Sequence, residues 1–153
     1  MLSSVRQATP ADASAAAHII AAALAEYGLP FEPEGRDADV ATFGAKPGHD
    51  DLVAEDAPGG RIIGIASVGP QGAEALAWVS KVFVANDARR RGAGRALMEA
   101  VHHSARRRGY REIGLRTRIV FVEAIALYEM LGYVRRVDPA AIAPGDVVYY
   151  RTL

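Results

Sequence analysis

The first part of the chain combines a short strand-like segment with one long helical segment. Residues 5–7 predict a short first strand. A helix start follows at residues 9–12. Thr9 suits the N-cap position, Pro10 suits the first helical position, and Asp12 completes a capping box. The alanine-rich stretch after them predicts a first helix that ends near residues 27–28.

The middle of the chain alternates broken polar segments with apolar runs. Residues 28–40, GLPFEPEGRDADV, are too polar and too rich in Pro and Gly for a core element, so they predict a loop, with a second short helix over residues 37–45. Residues 51–55 and 61–69 are strand candidates, and the Ala-Pro-Gly-Gly turn between them favours a hairpin. The apolar run over residues 75–84 predicts a longer strand.

The last part of the chain has the clearest helical periodicity. Apolar side chains recur at helical spacing between Gly92 and Arg108, and Gly109 suits the end of that helix. The elements predicted after it are a strand at 112–116, a helix at 121–131, and strands at 133–136 and 147–152.

Together these elements predict an α+β fold with three α/β/α layers. The early strands open with antiparallel hairpins, whereas residues 75–84, the helix after them and residues 112–116 form one parallel βαβ unit. We therefore expect a mixed, mostly antiparallel sheet with helices on both faces, built by residues 1–153 as a single domain.

Composition narrows the functional classes. The chain has 153 residues, half of them hydrophobic, which suits one domain with a substantial core. Lys plus Arg and Asp plus Glu each total 18, so the net charge gives no case for bulk binding to nucleic acid or an anionic membrane. The absence of cysteine excludes thiolate nucleophiles, disulfides and cysteine-based zinc sites. The four histidines lack an HExxH spacing, so we expect no metal site.

The sequence also shows no pattern typical of a secretion signal or a membrane span. The opening sequence MLSSVRQATPADAS shows no positively charged leader before an apolar core, and no apolar run reaches membrane-spanning length. We therefore expect a cytoplasmic protein without a membrane partner.

The junction VFVANDARRRGAGRALM, residues 82–98, can bind an anion. A strand-like run breaks there into a turn and opens a helix, whose first amides have no intrahelical partner and carry partial positive charge. Gly92 and Gly94 allow a tight turn and leave room for a phosphate beside these amides. Four arginines can add charge: Arg89, Arg90, Arg91 and Arg95. An ordinary strand-to-helix turn with a solvated cationic face fits the same residues, and the junction alone leaves both interpretations open.

Two familiar phosphate loops do not fit this junction. A P-loop requires Lys followed by Ser or Thr, and Arg95 and Ala96 stand there instead. The dinucleotide fingerprint GxGxxG lacks its third glycine, and too little sequence follows it for a doubly wound sheet.

The order of the elements, together with two motifs, resembles the GNAT family of acyl-coenzyme A-dependent acyltransferases. The family's loop pattern, Gln or Arg, two residues, Gly, one residue, then Gly or Ala, is met by Arg89, Gly92 and Gly94. The segment AIALYEMLGY, residues 124–133, is similar to a second family signature, a helix that carries a tyrosine and is followed by glycine and an aromatic residue. The resemblance covers nearly the whole chain and implies a splayed, GNAT-like sheet.

The resemblance implies acetyl-coenzyme A as the co-substrate, and it implies roles for named residues. The pantetheine arm would pair with the backbone of Val82, Phe83 and Val84 almost as an added strand, and an amide near Phe83 or Val84 would polarise the thioester carbonyl. Tyr128 would be the acid that protonates the leaving thiolate, while the alternative is a packed tyrosine with its hydroxyl at the cleft edge. The pyrophosphate would lie on the loop residues Arg89, Arg90, Arg91, Gly92, Ala93, Gly94 and Arg95.

Two departures from the family pattern leave parts of the site open. Family members often carry an acidic base on the long strand, and this chain has no carboxylate over residues 77–81. Phe121 stands where an asparagine often caps the following helix. Glu32 and Glu34 can hold a cationic amine. Alternatively, they are acidic only because their loop is exposed to solvent. The candidates for the base are Glu26, Glu32, Glu34, Asp37 and Glu74.

We therefore expect an N-acetyltransferase that moves an acetyl group from acetyl-coenzyme A to a primary amine of a small-molecule or amino-acid-like acceptor. The amine attacks directly in a ternary complex, since no cysteine can form a covalent intermediate. The alternative is a non-catalytic acyl-coenzyme A sensor, motivated by the missing strand carboxylate. Nucleic-acid binding through the arginines is a third hypothesis, which we do not expect. The apolar run over residues 147–150 can support a homodimer or form an inner strand.

Overall fold

A seven-stranded sheet forms the centre of the computed structural model, which describes residues 4–153. The strands are β1 (Ser4–Gln7), β2 (Asp50–Glu55), β3 (Ile62–Pro70), β4 (Leu76–Val84), β5 (Glu112–Arg118), β6 (Val134–Arg136) and β7 (Asp146–Thr152). Their order across the sheet is β1-β2-β3-β4-β5-β7-β6. All neighbours pair antiparallel except β4 and β5, which are parallel. The predicted mixed, mostly antiparallel sheet is therefore confirmed.

Helices cover both faces of this sheet. They are α1 (Ala13–Ala25), α2 (Ala93–Arg107) and α3 (Val122–Met130). Apolar residues of α1 pack in one core cluster with Val53 and Ile65. Leu97 of α2 and Tyr128 of α3 belong to a second cluster on the opposite face, with Val79 and Leu115 of the sheet. The result is the predicted three-layer arrangement.

The sheet opens between β4 and β5. Their parallel pairing runs from Leu76 opposite Glu112 to Val79 opposite Leu115 and then ends, although β4 continues to Val84. Past Val79, β4 keeps its antiparallel partner β3 on the other edge. A gap therefore separates the C-terminal ends of the two parallel strands.

A bulge in β4 accompanies the gap. Ser80 pairs with Ser67 and Phe83 pairs with Ile65, so two residues of β4 oppose one residue of β3. Lys81, inside the bulge, adopts the left-handed region at φ 55°. A bulge bends its strand, and this bend accounts for the departure of β4 from β5.

Helix α2 is tied to the far edge of the sheet by a buried carboxylate. Asp50 of β2 accepts hydrogen bonds from Arg108 Nε at 2.8 Å and Nη2 at 3.0 Å, and also from the Ser104 hydroxyl. Gln7 of β1 donates to the same carboxylate at 2.8 Å. The Arg108 guanidinium lowers the pKa of Asp50 to about 2, so this link is charged at neutral pH.

Two predicted elements differ from the structure. The helix predicted over residues 37–45 is a short 3-10 turn, Ala38–Thr42, because Phe43 leaves the helical region at φ −56° and ψ 128° and buries its ring. The apolar run over residues 147–150 is the inner strand β7 between β5 and β6, and it is buried. This run therefore offers no dimer surface, and a homodimer stays a prediction without that support.

Candidate functional site

The loop before α2 presents an uninterrupted row of free backbone amides. Within the described chain, no N–H of residues 90–95 donates a hydrogen bond to another residue. The first bond of the helix runs from Ala96 N to Gly92 O at 2.9 Å. Six consecutive donors at the positive end of a helix form a concave site for an anion, and pyrophosphate is a chemically suitable guest.

Two glycines give this loop its shape. Gly92 has φ 82° and follows Arg90 at φ 64°, so two residues close together adopt the left-handed conformation that turns successive amides toward one concavity. At Gly94, a Cβ atom would lie 3.2 Å from Leu127 Cδ2 of α3, so the missing side chain lets α2 and α3 approach each other. Gly92 thus shapes the loop through its backbone conformation, and Gly94 through the close contact between α2 and α3.

The arginines contribute less charge than the sequence predicts. The guanidinium of Arg89 donates to both carboxylate oxygens of Glu26 at 2.7 and 2.8 Å, and its Nε donates to Val84 O at 3.1 Å. The hydrogen bond to Glu26 raises the pKa of Arg89 further. Ion pairs at 3.1 Å also join Arg91 to Asp56 and Arg95 to Glu99. Arg90 has no ion pair within residues 4–153, so the backbone and Arg90 provide most of the uncompensated positive potential.

A cavity of about 410 Å³ extends from this loop into the gap between β4 and β5. Helix α3 and the end of α1 complete its walls. The predicted site residues that line it are Val82, Phe83, Val84, Arg89, Arg90, Gly92, Ala93, Gly94, Arg95 and Tyr128. Arg91 is the exception, because its side chain points to Asp56 instead.

Tyr128 presents its hydroxyl to this cavity. The residue is only 4% exposed, and its oxygen makes no hydrogen bond to any residue of the described chain. Since no buried side-chain nitrogen or oxygen of the described residues lacks a hydrogen-bond partner, the Tyr128 oxygen keeps some exposure, and the residue lines the cavity. Burial raises the pKa of Tyr128 above its usual value near 10, so the phenol stays protonated at neutral pH.

Carboxylates line the cavity at three places, and none of them stands on β4. They belong to Asp37, Glu123 and Asp146. Of the candidate bases from the sequence, only Asp37 lines the cavity, and its carboxylate accepts the Glu32 N–H at 2.8 Å. Neither Glu32 nor Glu34 lines the cavity, so of the two interpretations of these residues the geometry supports an acidic, solvated loop.

Residues 47–135 match the protein family described as the acetyltransferase (GNAT) domain. This segment includes the gap, the amide row and Tyr128. The chain belongs to the GNAT acetyltransferase family. No curated protein sequence gives a significant match.

Solved GNAT structures share the fold across nearly their full length. A GCN5-related N-acetyltransferase from Kribbella flavida is 27% identical, with a TM-score of 0.78 over 99% of this chain and 98% of that one. A GNAT acetyltransferase from Staphylococcus aureus is 17% identical, with a TM-score of 0.85 over 98% of both chains. A phosphinothricin acetyltransferase from Sinorhizobium meliloti, solved with acetyl-coenzyme A, is 21% identical, with a TM-score of 0.78 over 100% of this chain and 89% of that one.

In this GNAT domain, a buried polar network lies behind Tyr128. The Tyr133 ring centroid is 5.9 Å from that of Tyr128, and the Tyr133 hydroxyl is 2.8 Å from His102 Nε2. Arg151 donates to His102 Nδ1 at 3.0 Å, so the neutral imidazole carries its proton on Nε2 and donates it to Tyr133. Burial, reinforced by Arg151, lowers the pKa of His102 to about 4. The network therefore supports Tyr128 from behind without carrying charge at His102.

An aromatic wall replaces the helix cap that the family often has. Phe121 occupies the N-cap position of α3 without a capping hydrogen bond. Its ring packs edge to face on Tyr27, with centroids 4.9 Å apart, and on Phe83, with centroids 6.3 Å apart. The loss of a polar cap is thus accompanied by apolar packing that joins α1, β4 and α3 at the cavity.

Sequence reasoning missed the cations on the α1 side of the gap. Arg36, Arg116 and Arg118 all line the cavity. The pattern Arg-Thr-Arg at 116–118 held the signal, because alternate residues of a strand share a face. The described residues contain no cluster of His, Cys, Asp and Glu that could hold a metal ion, and no helix among them is long and apolar enough to cross a membrane.

Proposed function

We propose that this GNAT protein transfers an acetyl group from acetyl-coenzyme A to the primary amine of a small-molecule or amino-acid-like acceptor. One observation carries the proposal: six free amides lie at the mouth of a cavity that passes through the β4–β5 gap beside the Tyr128 hydroxyl. The S. meliloti relative solved with acetyl-coenzyme A supports the donor, and its description as a phosphinothricin acetyltransferase supports a small-molecule acceptor.

The donor would lie along the amide row and the open edge of β4. Residues 90–95 would bind the pyrophosphate, and the backbone of Val82, Phe83 and Val84 would hydrogen-bond the pantetheine arm. An amide near Phe83 or Val84 would stabilise the oxyanion as the amine attacks the thioester carbonyl. The amide row lies on the α2 side, so the acceptor would enter from the α1 side.

Tyr128 would then assist departure of the sulfur. As the carbon–sulfur bond breaks, the Tyr128 hydroxyl donates its proton to the leaving thiolate, and the proton from the attacking nitrogen leaves through the carboxylates and water of the cavity. The products are the N-acetylated amine and coenzyme A.

Titration calorimetry with acetyl-coenzyme A, combined with a thiol-release assay over a panel of amines, tests this function. We expect binding and amine-dependent release of free thiol. Failure to bind acetyl-coenzyme A would contradict the proposal. Binding without release for any amine would favour the acyl-coenzyme A sensor instead, an alternative that the GNAT match does not favour.

A further inference from the structure

Three arginines on the α1 side of the gap lie apart from the proposed coenzyme contacts. Arg116 and Arg118 occupy alternate positions of β5. Leu115, which directly precedes Arg116, packs in the core cluster that includes α2. The two arginines therefore face the opposite side of the sheet. Arg36, from the loop after α1, lines the same end of the cavity. We call Arg36, Arg116 and Arg118 the arginine group.

One carboxylate faces the arginine group and does not balance it. Asp146 Oδ1 is 3.6 Å from Arg36 Nη2, and its Oδ2 is 3.9 Å from Arg116 Nε, which is too long for hydrogen bonds. Its Oδ2 already accepts two backbone amides of the preceding loop at 3.1 and 2.9 Å. Arg118 lies directly opposite Asp146 in the strand register and yet has no ion pair in the described chain. Three guanidiniums thus lie near one carboxylate, one oxygen of which already accepts two backbone amides.

The neighbouring charges reduce this excess only in part. Lys81 lines the cavity but is paired with Asp39, with Nζ 2.5 Å from Oδ2. The carboxylate of Asp37 accepts the backbone N–H of Glu32 and keeps its negative charge, so Asp37 and Asp146 together oppose three guanidiniums. Glu123 stands at the start of α3 within electrostatic reach of Arg89, on the amide-row side. Arg116 also donates from Nη1 to Ala140 O at 3.1 Å, and the remaining donors and the excess positive charge of the arginine group face the cavity.

We propose that the acceptor amine also carries a carboxylate and that the arginine group binds this carboxylate. The proposal rests on the proposed function and names its substrate class as small amino acids. A guanidinium offers parallel donors that match the two oxygens of a carboxylate, and three of them concentrate the attraction at one end of the cavity. The amine at the other end of the molecule then points into the gap. An acceptor with a second positive charge, such as a diamine, is repelled by the same group.

Matched pairs of acceptors, each an acid and its amide, isolate the contribution of the carboxylate to binding. The pairs are glycine and glycinamide, β-alanine and its amide, and γ-aminobutyrate and its amide, which cover three spacings between the amine and the carboxylate. Calorimetry on protein loaded with coenzyme A measures the affinity for each compound, and thiol release from acetyl-coenzyme A measures turnover. Putrescine serves as the dicationic comparison.

We expect at least one acid to bind about tenfold or more tightly than its amide, since a charge-assisted contact has about that effect on an affinity. Arg118→Gln should abolish most of this preference, and Arg36→Gln, in a loop outside the sheet, should reduce it. Arg111→Gln is the matched control, because Arg111 precedes β5 and does not line the cavity. This control should keep the preference of the unmodified protein.

Three results would overturn the proposal while leaving the acetyl transfer intact. They are equal binding of acids and amides at all three spacings, equal behaviour of the Arg118→Gln and Arg111→Gln variants, and a loss of coenzyme A affinity in Arg118→Gln as large as the loss for the acid. Undetectable binding of every acid at about 10 mM would also overturn it. A failure of the proposed function itself is recognised separately, because the unmodified protein would then not bind acetyl-coenzyme A.

Discussion

At the residue scale, Tyr128 combines burial with a hydroxyl that has no hydrogen-bond partner among residues 4–153. Its oxygen reaches the cavity, whereas its ring packs against Tyr133. A proton donor and a packed tyrosine with its hydroxyl at the cleft edge both fit this placement. Removal of the hydroxyl alone, with the ring kept, distinguishes the two roles.

We therefore expect Tyr128→Phe to lower kcat by about 10²-fold, because the proton donor is lost while the ring stays in place. Acetyl-coenzyme A affinity, measured by calorimetry, should change little. Tyr110→Phe is the control, since Tyr110 does not line the cavity. If Tyr128→Phe turns over the acceptor as fast as this control does, Tyr128 is a packing residue only.

Gly92 is the second residue whose role can be isolated. Its φ of 82° is unfavourable for any residue with a Cβ, although no atom lies near enough to clash with one. Gly109, after α2, has φ 86° and the same open surroundings. The two glycines share this backbone conformation, but Gly92 is the N-cap of α2 and belongs to the amide row, whereas Gly109 follows the C-cap of the same helix.

Gly92→Ala and Gly109→Ala should each lower the free energy of unfolding by about 1 kcal/mol, because both force alanine into the left-handed region. Only Gly92→Ala should also weaken acetyl-coenzyme A binding, since it reorients the amides of residues 90–95. Urea denaturation and calorimetry on both variants check this. Equal coenzyme affinity in the two variants would place the anion site elsewhere.

At the element scale, α2 is held at both ends by different means. Its start is shaped by the loop with free amides, and its end is tied to β2 through Asp50, Ser104 and Arg108. Because Asp50 is only 3% exposed, its charge is compensated almost entirely by these donors and by Gln7. The far end of the helix thus fixes the position of the end that would bind the coenzyme.

Asp50→Asn should therefore lower the free energy of unfolding by about 2 kcal/mol, because Arg108 loses a charged acceptor in a half-buried setting. Glu99→Gln is the contrast, since the Arg95–Glu99 pair on the same helix is exposed and contributes less than about 0.5 kcal/mol. Urea midpoints of the two variants measure the difference. Similar midpoints would show that the buried link does not hold α2.

Elements and local motifs could be predicted from the sequence where their cause is local. The periodicity of α2, the hairpin turn and the glycine spacing of the loop each depend on nearby residues. The pairing of Arg89 with Glu26 joins residues 63 positions apart, and no local pattern indicates it. The prediction of a short helix over residues 37–45 was wrong, because the burial of Phe43 outweighs the local helical tendency of this segment.

The candidate site divides in the same way. The free amides of residues 90–95 and the cavity position of Tyr128 follow from two contiguous motifs. The arginine group does not, since Arg36 and Arg116 meet only when the loop after α1 folds over β5. The residues that would choose the acceptor are thus the part of the site that depends most on tertiary structure.

At the scale of the whole molecule, the His102 network couples stability to pH. The pKa of His102 is about 4 in the folded protein and near 6.5 when the chain is unfolded, so the unfolded state binds more protons between these values. Stability is therefore lost as the pH falls through this window. The pKa of Asp50 is about 2 in the folded protein, so its contribution to stability is lost only as the pH falls below about 3.8.

We expect the free energy of unfolding to fall between pH 6.5 and 4 with a slope that His102 can raise by at most about 1.4 kcal/mol per pH unit. His102→Gln should flatten this slope, whatever its effect on stability at pH 7. His103→Gln, at the exposed neighbouring position, is the matched control. Urea titrations at several pH values provide the measurement, and equal slopes in the two variants would contradict the assignment.

The gap between β4 and β5 also bears on how the protein avoids self-association. Strand edges with unpaired amides can recruit strands from other chains and so lead to aggregation. Here the free edge of β4 beyond Val79 lies in the interior of a seven-stranded sheet and borders a cavity that α3, Tyr27 and Phe121 also line. The outer edges of the sheet belong to β1 and β6, whereas the unpaired part of β4 is an internal edge between β3 and β5. A strand of another chain would therefore have to enter the sheet, and not only add to its border, in order to pair with this part of β4.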